Sequence, residues 1–372
     1  MTLRIDWQGL SAEQFLSEYW QKKPLFIKQA VPDIEHLLTG DDLAGLAIDE
    51  DIESRVILQQ PVGEFHLKRG PFEEDYFFSL NDSHWTLLVQ AVDQFLPELS
   101  QLMSEVHFLP NWRLDDVMVS FATPGGSVGP HFDQYDVFLI QGSGSRRWAT
   151  GQQCDDKTAL IPHPEIKLLA NFAEQAAYDC EPGDLLYLPP GLAHHGVATS
   201  NHCMTYSIGA RAPSWRYMLE ILMDDFLQNI APNDLYSDPK LKQAAAGQFN
   251  PELIMPELRK RASEYLQSEQ ASDTLSRLLS EPKYDGYQTQ ATHQPLPVAD
   301  LQWDLGSRAL YTTEPFALHI NGENISTDEV DLAKALCDQK QFSAQWVAQH
   351  QDSTLLQTLW AKGLLFEIEP FE

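Results

Sequence analysis

The sequence predicts a mixed α+β protein of several domains, with a sandwich or barrel of short β-strands at its centre. Between about residues 113 and 211, short apolar runs alternate with turns that contain Gly or Pro, a pattern typical of all-β sandwiches and barrels. After Pro213, apolar residues recur at helical spacing. The last part of the chain combines a strand–turn–strand pattern with short helices. These three regions predict an all-β core followed by two smaller modules.

The length supports this division, because 372 residues exceed what one hydrophobic core usually organises. Hydrophobic residues make up 43% of the chain, which is enough to build several cores. The sequence contains no apolar run of the roughly 18 residues that a membrane span requires. The first residues also lack the apolar centre of a signal peptide. We therefore expect a soluble cytoplasmic protein with no membrane contact.

The charge is strongly unbalanced, with 54 acidic against 25 basic residues and a formal net charge of -29. Such a surface repels nucleic acid phosphates, so direct nucleic acid binding is not expected. It would attract a basic protein and accelerate their encounter. The alternative explanation is that the acidic residues serve only solubility.

The N-terminal region predicts a helix over residues 11 to 22, with Ser11 and Gln14 as a capping box. Pro24 should end this helix, and a strand should begin at Leu25. The acid-rich stretch from 41 to 53 is predicted to be a solvated helix and loop.

The central region predicts five strands, each closed by a turn that contains Gly or Pro or by the next apolar run. They cover Val117–Phe121, Val137–Ile140, Arg146–Thr150, Leu185–Leu188 and Cys203–Ile208. The flexible segment 125–130 leads directly into His131.

The region after Pro213 predicts helices at 215–230, 251–267 and 272–281. Their apolar faces suit dimerisation, so we expect a homodimer formed through this helical part. Strand signals return near residue 297, and an Asn-Gly turn at 321–322 predicts a hairpin. Helices over 328–338 and 343–349 and a strand at 364–368 complete a module that resembles a winged helix.

The pair His131 and Asp133 is the most informative feature for chemistry. In a strand, residues two apart face the same way, so both side chains could bind one ion. A third ligand follows the turn Pro189-Pro190-Gly191, and either His194 or His195 fits that role. Two His and one carboxylate form the facial ligand set of non-haem Fe(II) oxygenases. The alternative is that the first two residues bond each other, with both later histidines on an exposed loop.

The sequence around these residues resembles the JmjC-type, cupin-like ribosomal oxygenases, in particular the bacterial arginine hydroxylases among them. The resemblance is carried by the stretches 120–138, with its Gly129-Pro130-His131-Phe132-Asp133 motif, 141–148, 19–25 and 206–213. It implies a double-stranded β-helix (jelly-roll, cupin/JmjC) catalytic domain over residues 1–212. A helical dimerisation domain over 213–285 and a C-terminal winged-helix-like domain over 286–372 would follow.

The resemblance also implies the cofactor and co-substrates: Fe(II), 2-oxoglutarate and O2. In the family's P-P-G-x-x-H motif the final histidine is the third iron ligand, so the resemblance implies His194 for this role, beside His131 and Asp133. The far carboxylate of 2-oxoglutarate would bind Arg146 and the hydroxyl of Ser120. Arg147 should face the other way in its strand. Some relatives carry a second hydroxyl two residues after the serine, where this chain has Ala122.

A target arginine needs a carboxylate for its guanidinium and apolar walls for its stem. Strand parity and the resemblance together indicate Asp116, Met118 and Tyr135 for these roles, with Ser207 as a further polar contact. The alternative is that Asp116 is a turn residue and that Met118 and Tyr135 are ordinary core residues.

We therefore expect a 2-oxoglutarate-dependent dioxygenase that hydroxylates an arginine β-carbon of a basic large-subunit ribosomal protein. Histidine hydroxylation and lysine demethylation are alternatives within the same family. A non-catalytic cupin-like regulator with a DNA-binding C-terminal module is an alternative of another class, and a cupin isomerase is a third.

Overall fold

A computed structural model describes residues 3–60, 64–239, 241–284 and 289–368. The chain divides into two compact units, Met1–Ala212 and Pro213–Glu372. The predicted boundary between residues 285 and 286 lies outside the described residues, so the division of the second unit into two domains stays a prediction. Among the described residues, no helix combines the length and the apolar character that a membrane span requires.

The first unit is built mainly from antiparallel strands. Its strands are β1 (Leu25–Ile27), β2 (Ser54–Gln59), β3 (Phe65–Arg69), β4 (Trp85–Val89), β5 (Leu114–Ala122), β6 (Asp136–Gln141), β7 (Arg146–Gln153), β8 (Ala176–Cys180), β9 (Leu185–Leu188), β10 (Leu192–Ala198) and β11 (Cys203–Ala210). Its α-helices are α1 (Ala12–Glu18), α2 (Gly40–Leu46) and α3 (Pro97–Ser104).

These strands form two sheets that face each other. The large sheet has the order β1-β9-β6-β11-β5-β4-β2-β3, and the small sheet has the order β10-β7-β8. Apolar side chains join the sheets: Trp148 of β7 packs with Val137 and Leu139 of β6, and Ala198 of β10 packs with Ala122 of β5. The two inner faces therefore enclose the space in which the predicted site residues lie.

The outer face of the large sheet is buried as well. Phe15 of α1 packs against Phe138 and Tyr187, with ring centroids 5.8 and 5.0 Å apart. The capping box predicted for α1 is present, because Ser11 and Gln14 exchange both hydrogen bonds. The predicted end at residue 22 is wrong. The helix stops at Glu18, and Gln21 adopts a left-handed backbone (φ 57°) that lets its N–H donate to the Tyr187 hydroxyl.

The second unit begins with helices and ends with a small mixed module. Its α-helices are α4 (Trp215–Gln228), α5 (Met255–Leu266), α6 (Glu269–Ser280), α7 (Val330–Asp338), α8 (Ala344–Gln349) and α9 (Thr354–Ala361). Its strands are β12 (Leu301–Trp303), β13 (Ala309–Thr313), β14 (Phe316–Ile320), β15 (Glu323–Ile325), β16 (Gln341–Phe342) and β17 (Leu365–Glu367).

The predicted hairpin joins β14 to β15 through Asn321 and Gly322. Both residues have positive φ (50° and 78°), as a two-residue type I′ turn requires, and Asn and Gly tolerate this conformation best. Inside the same unit, the buried His319 of β14 lies 2.9 Å from the carboxylate of Asp273 on α6. This contact ties the hairpin to the preceding helices.

Candidate metal centre

Three side chains converge in the first unit: His131, Asp133 and His194. One ligand-type atom from each lies within 4.8 Å of the other two. Asp133 Oδ2 is 3.5 Å from His194 Nε2 and 3.9 Å from His131 Nε2. These separations exceed ordinary hydrogen-bond lengths, and His194 is only 3% exposed. The geometry thus differs from a simple His131–Asp133 hydrogen bond beside an exposed loop. It leaves a space between two imidazoles and one carboxylate that suits a divalent first-row metal ion.

Backbone contacts hold these three residues together. His131 and His194 face each other in an isolated antiparallel bridge and exchange two N–H···O bonds of 3.0 and 2.8 Å. Gly191 donates its N–H to the carbonyl of Asp133 at 2.7 Å. Its φ of +75° is one that a residue with a Cβ adopts only with strain. The Pro-Pro-Gly turn, which leads to His194, is therefore bonded directly to the backbone of Asp133.

The strand on which the pairing of His131 with Asp133 was predicted is not there. Beyond the single bridge at His131, residues 132–135 form irregular chain, and β6 begins only at Asp136. The side chains converge because the bridge to His194 and the contact with Gly191 position the segment, rather than because of strand alternation.

Both histidines are oriented by a carbonyl group behind the ring. His131 Nδ1 lies 2.9 Å from the carbonyl of Gly129, and His194 Nδ1 lies 2.9 Å from that of Leu192. A carbonyl only accepts, so each Nδ1 carries the proton and each Nε2 presents its lone pair to the common space. Burial, and then the neighbouring His131, lower the pKa of His194 to about 4. Its imidazole is therefore neutral near pH 7, the form that binds a cation.

The structure distinguishes His194 from His195. Successive side chains in β10 point to opposite faces, and His194 lies on the inner face, with its ring centroid 5.8 Å from that of Trp148. His195 lies on the outer face against Phe172, with ring centroids 6.0 Å apart. His195 is therefore outside the group of three.

Arg146 and Arg147 lie on opposite faces of the small sheet. Arg146 shares the inner face with Trp148 and is 2% exposed. Its Nε and Nη2 atoms are buried, and neither has a hydrogen-bond partner within the part of the chain that the structure describes. Arg147 is exposed and forms an ion pair with Glu174. A buried guanidinium without a partner is costly, so Arg146 fits a site for an anionic ligand, best a carboxylate.

Ser120 lies on the inner face of the opposing sheet. It is 6% exposed and stands in register with Thr205 of β11 and Leu88 of β4. The neighbouring Thr205 donates to Gln141 Oε1 at 3.1 Å. Ser120 thus lies on the wall that faces Arg146, as the predicted pairing of the two requires.

Asp116 lies in β5 and is 4% exposed, so it is not a turn residue. Its Oδ2 accepts hydrogen bonds from the amide of Gln90 at 2.9 Å and from the N–H of Ala91 at 3.0 Å. These bonds fix the orientation of the carboxylate. Arg55 Nη1 donates in turn to Gln90 Oε1 at 3.2 Å, and Arg55 Nη2 lies 3.7 Å from the sulfur of Met118.

Tyr135 connects this carboxylate to the group of three. Its hydroxyl donates to Asp133, and burial, followed by the charge of Asp133, raises the pKa of Tyr135 above its usual value. The charge of Asp116 acts in the same direction. The guanidinium of Arg211 lies 4.6 Å from the ring centroid and is paired with Asp115 at 3.2 Å. Of the predicted pocket residues, Tyr135 therefore borders the candidate metal centre directly, and the charge of Asp116 acts on Tyr135.

Ser207 is 6% exposed and stands opposite Met118 in the β11–β5 register. Sequence reasoning missed Gln90 and Arg55, which orient Asp116 and cover Met118. Both lie on or next to strands, β2 and β4, for which the sequence analysis predicted no element. The short apolar runs at 56–58 and 87–89 were the available signal, but nothing in them indicates which residue the amide of Gln90 would contact.

Residues 101–218 match the family described as the JmjC domain, and residues 260–366 match the family described as the ROXA-like winged helix. The predicted fold class, a cupin-like core with a C-terminal winged-helix module, is confirmed by these matches and by the structural similarity that follows.

Two curated proteins and one solved structure represent the relatives. The ribosomal protein uL16 3-hydroxylase of Escherichia coli is 41% identical over 236 residues, which is 63% of this chain but only 62% of that protein. A probable ribosomal oxygenase of Haemophilus influenzae is 32% identical over 353 residues, or 89% of this chain and 87% of that protein. The structure of YcfD, a ribosomal oxygenase from Escherichia coli, in complex with cobalt and 2-oxoglutarate has a TM-score of 0.83 at 30% identity. The match covers 98% of this chain and 99% of that one.

Proposed function

Because the chain belongs to the JmjC-type ribosomal oxygenases, we propose that it is an Fe(II)- and 2-oxoglutarate-dependent dioxygenase. Its reaction is the hydroxylation of an arginine β-carbon in a basic protein of the large ribosomal subunit. The single observation that carries this proposal is the group of His131, Asp133 and His194 in a space shared with the buried, unpaired guanidinium of Arg146.

The residues fit the groups that this chemistry needs. The Nε2 atoms of His131 and His194 and the Asp133 carboxylate would hold the iron, while Arg146 and Ser120 would bind the far carboxylate of 2-oxoglutarate. When bound, iron, 2-oxoglutarate and O2 convert a C–H group to C–OH, with release of succinate and CO2. The protein's own contribution is to hold these groups and the target carbon in one orientation and to exclude water.

The substrate pocket is proposed beside the metal site. Asp116 offers an oriented carboxylate to the target guanidinium, Met118 and Tyr135 form apolar walls for the stem, and Ser207 adds a polar contact. A carboxylate here favours arginine over a neutral histidine. Histidine hydroxylation is therefore a less favoured alternative. The Escherichia coli relative is named a 3-hydroxylase of a ribosomal protein, and this activity makes lysine demethylation and binding without turnover less favoured as well.

The net charge of -29 supports a basic ribosomal protein as partner, because opposite charges steer the encounter. Such a partner is made and assembled in the cytoplasm, so we place the enzyme there. The same charge disfavours direct nucleic acid binding. The absence of any affinity of the full chain for DNA or RNA at moderate salt would support this; binding that persists there would favour a regulator.

The test is anaerobic reconstitution of the full chain with Fe(II), followed by O2, 2-oxoglutarate and a ribosomal protein extract. Mass spectrometry should find one added oxygen atom on one arginine, only when 2-oxoglutarate is present. His131→Ala should abolish the product, whereas His195→Ala should retain it. Oxygen on a histidine, or loss of methyl groups from lysine, would select one of the alternatives; turnover without 2-oxoglutarate would refute the reaction class.

We further propose that the region 213–285 is a dimerisation domain, with 1–212 as the catalytic domain and 286–372 as the winged-helix-like domain. Large apolar side chains of this region are exposed, including Trp215 at 79%, Leu235 at 79% and Phe249 at 69%. A second copy of the chain is proposed to bury these side chains in the dimer. Sedimentation should give twice the mass of one chain, and Trp215→Glu should reduce it; a monomer at micromolar concentration would contradict this.

A further inference from the structure

Thr86 is a buried residue of the inner face whose hydroxyl has no assigned role. It lies in the middle of β4, is 0% exposed, and its Oγ1 has no hydrogen-bond partner among the described residues. Trp85 and Leu87, on either side, belong to the core on the outer face of the large sheet. Because strand side chains alternate, Thr86 points to the inner face, where the proposed co-substrate site lies.

The position of Thr86 relative to Ser120 follows from the register. Thr86 stands opposite Ala122, and Leu88 stands opposite Ser120, in the antiparallel pair β4–β5. Thr86 and Ser120 are therefore diagonal neighbours on one face, roughly 7 Å apart. Their two hydroxyls can reach the oxygens of one carboxylate group.

The position relative to Arg146 follows from the packing between the sheets. Ala122, opposite Thr86, packs against Ala198 of the small sheet. Ala198 is in turn the strand partner of Arg146. The contact between these two alanines therefore places Thr86 on one wall and Arg146 on the other wall beside the same point of packing between the sheets.

Thr86 and Arg146 also share an unusual electrostatic condition. Burying a hydroxyl or a guanidinium without a hydrogen-bond partner destabilises a protein, and native structures largely avoid it. Here Thr86 Oγ1 and Arg146 Nε and Nη2 are unpartnered within the described residues, on two walls of the same space. One carboxylate between the walls would satisfy all three atoms together.

We propose that the Thr86 hydroxyl donates a hydrogen bond to the 2-oxoglutarate carboxylate that Arg146 and Ser120 bind. It would supply, from the neighbouring strand, the hydroxyl that Ala122 lacks. This inference rests on the proposed function, because it needs 2-oxoglutarate as the ligand.

The test is Thr86→Val in the full chain, loaded with Mn(II) so that no turnover occurs. Valine has nearly the same shape, so the ligand-free variant should unfold at the same temperature as the wild type or higher. Titration calorimetry should show 2-oxoglutarate affinity falling roughly 10- to 100-fold, the usual effect of losing a hydrogen bond to a charged group. The rise in unfolding temperature that 2-oxoglutarate produces should shrink accordingly.

Four further variants complete the experiment. Thr86→Ser keeps the hydroxyl and should retain affinity, and Ala122→Ser added to Thr86→Val should restore part of it. Thr205→Val removes a hydroxyl that is already hydrogen-bonded to Gln141, so it should lower the unfolding temperature of the ligand-free protein. Thr86→Ala gives the same information as the valine variant if that variant does not fold.

The outcomes separate this inference from the proposed function. Wild-type protein that binds 2-oxoglutarate, together with Thr86→Val of unchanged affinity, overturns the inference alone. A Thr86→Val variant that is less stable without ligand and binds normally shows that the hydroxyl is structural, which also overturns it. Wild-type protein that does not bind 2-oxoglutarate overturns the proposed function and this inference with it.

Discussion

Arg146→Met should separate the stability of the ligand-free protein from its affinity for 2-oxoglutarate. The guanidinium is 2% exposed, two of its nitrogens have no partner among the described residues, and its carbon lies 5.5 Å from the ring centroid of Trp148. Methionine keeps an unbranched apolar stem and removes the charge. Arg147→Met is the matched control, because Arg147 is adjacent in sequence, exposed, and paired with Glu174 on the outer face.

Arg146→Met should change two quantities in opposite directions: the stability of the ligand-free protein should stay the same or rise, and the affinity for 2-oxoglutarate should fall. An uncompensated buried charge costs several kcal/mol, of which a cation–π contact recovers only about 0.5–2 kcal/mol. The ligand-free variant should therefore be as stable as the wild type or up to about 4 kcal/mol more stable. Losing one partner of a buried charge pair with 2-oxoglutarate costs about 2–5 kcal/mol, so affinity should fall roughly 30- to 4,000-fold.

Urea unfolding of the Mn(II)-loaded protein measures the free energy of unfolding, and calorimetry measures 2-oxoglutarate affinity. Arg147→Met should bind 2-oxoglutarate like the wild type. The reasoning is refuted if Arg146→Met loses more than about 2 kcal/mol of stability without ligand and binds 2-oxoglutarate normally. That result would mean that the guanidinium serves the fold rather than the ligand.

Other variants test the remaining assignments. His194→Ala should weaken Co(II) binding by more than about 100-fold, the upper range for groups that merely support a ligand, while His195→Ala should retain the Co(II) absorption spectrum; equal losses would contradict the assignment. Asp116→Ala should lower kcat/KM for an arginine peptide at least tenfold, since a charge-assisted bond is worth about 1.5–3 kcal/mol, and unchanged peptide kinetics would remove it as the guanidinium partner. Gly196→Ala should destabilise the protein by roughly 1–3 kcal/mol in urea unfolding, because a Cβ there would lie 2.5 Å from the ring of Trp148; wild-type stability would mean that the ring has room to move.

Local sequence signals predicted several elements well. The Asn321-Gly322 turn and the Ser11–Gln14 capping box depend on residues at most three positions apart, so the chain specifies them without help from tertiary contacts. Short apolar runs between turns that contain Gly or Pro also predicted central strands of both sheets. The predicted end of the first helix was wrong because the true end depends on Gln21, whose backbone N–H donates to the hydroxyl of the distant Tyr187.

The convergence of His131 and Asp133 was predicted, but the structural reason given for it was wrong. His131 and Asp133 were paired through strand alternation, yet residues 132–135 are irregular and the bridge to His194 positions the segment. The Pro-Pro-Gly turn adds a contact that the sequence did not predict, because Gly191 donates its N–H to the carbonyl of Asp133. The strands that bring Arg55 and Gln90 to Asp116 were not predicted at all.

The sequence by itself determined the fold class, the motif with its three ligand-type residues and the acidic surface, because each depends on residue type and short spacing. Without the family resemblance, only the tertiary structure decided that Arg146 rather than Arg147 lies on the inner face. It alone also decided that Gln90 orients Asp116 and that Thr86 lies beside Ala122. Register and the facing of two sheets bring together residues far apart in the chain. Whether a buried polar atom finds a partner is a property of that packing, which no local pattern contains.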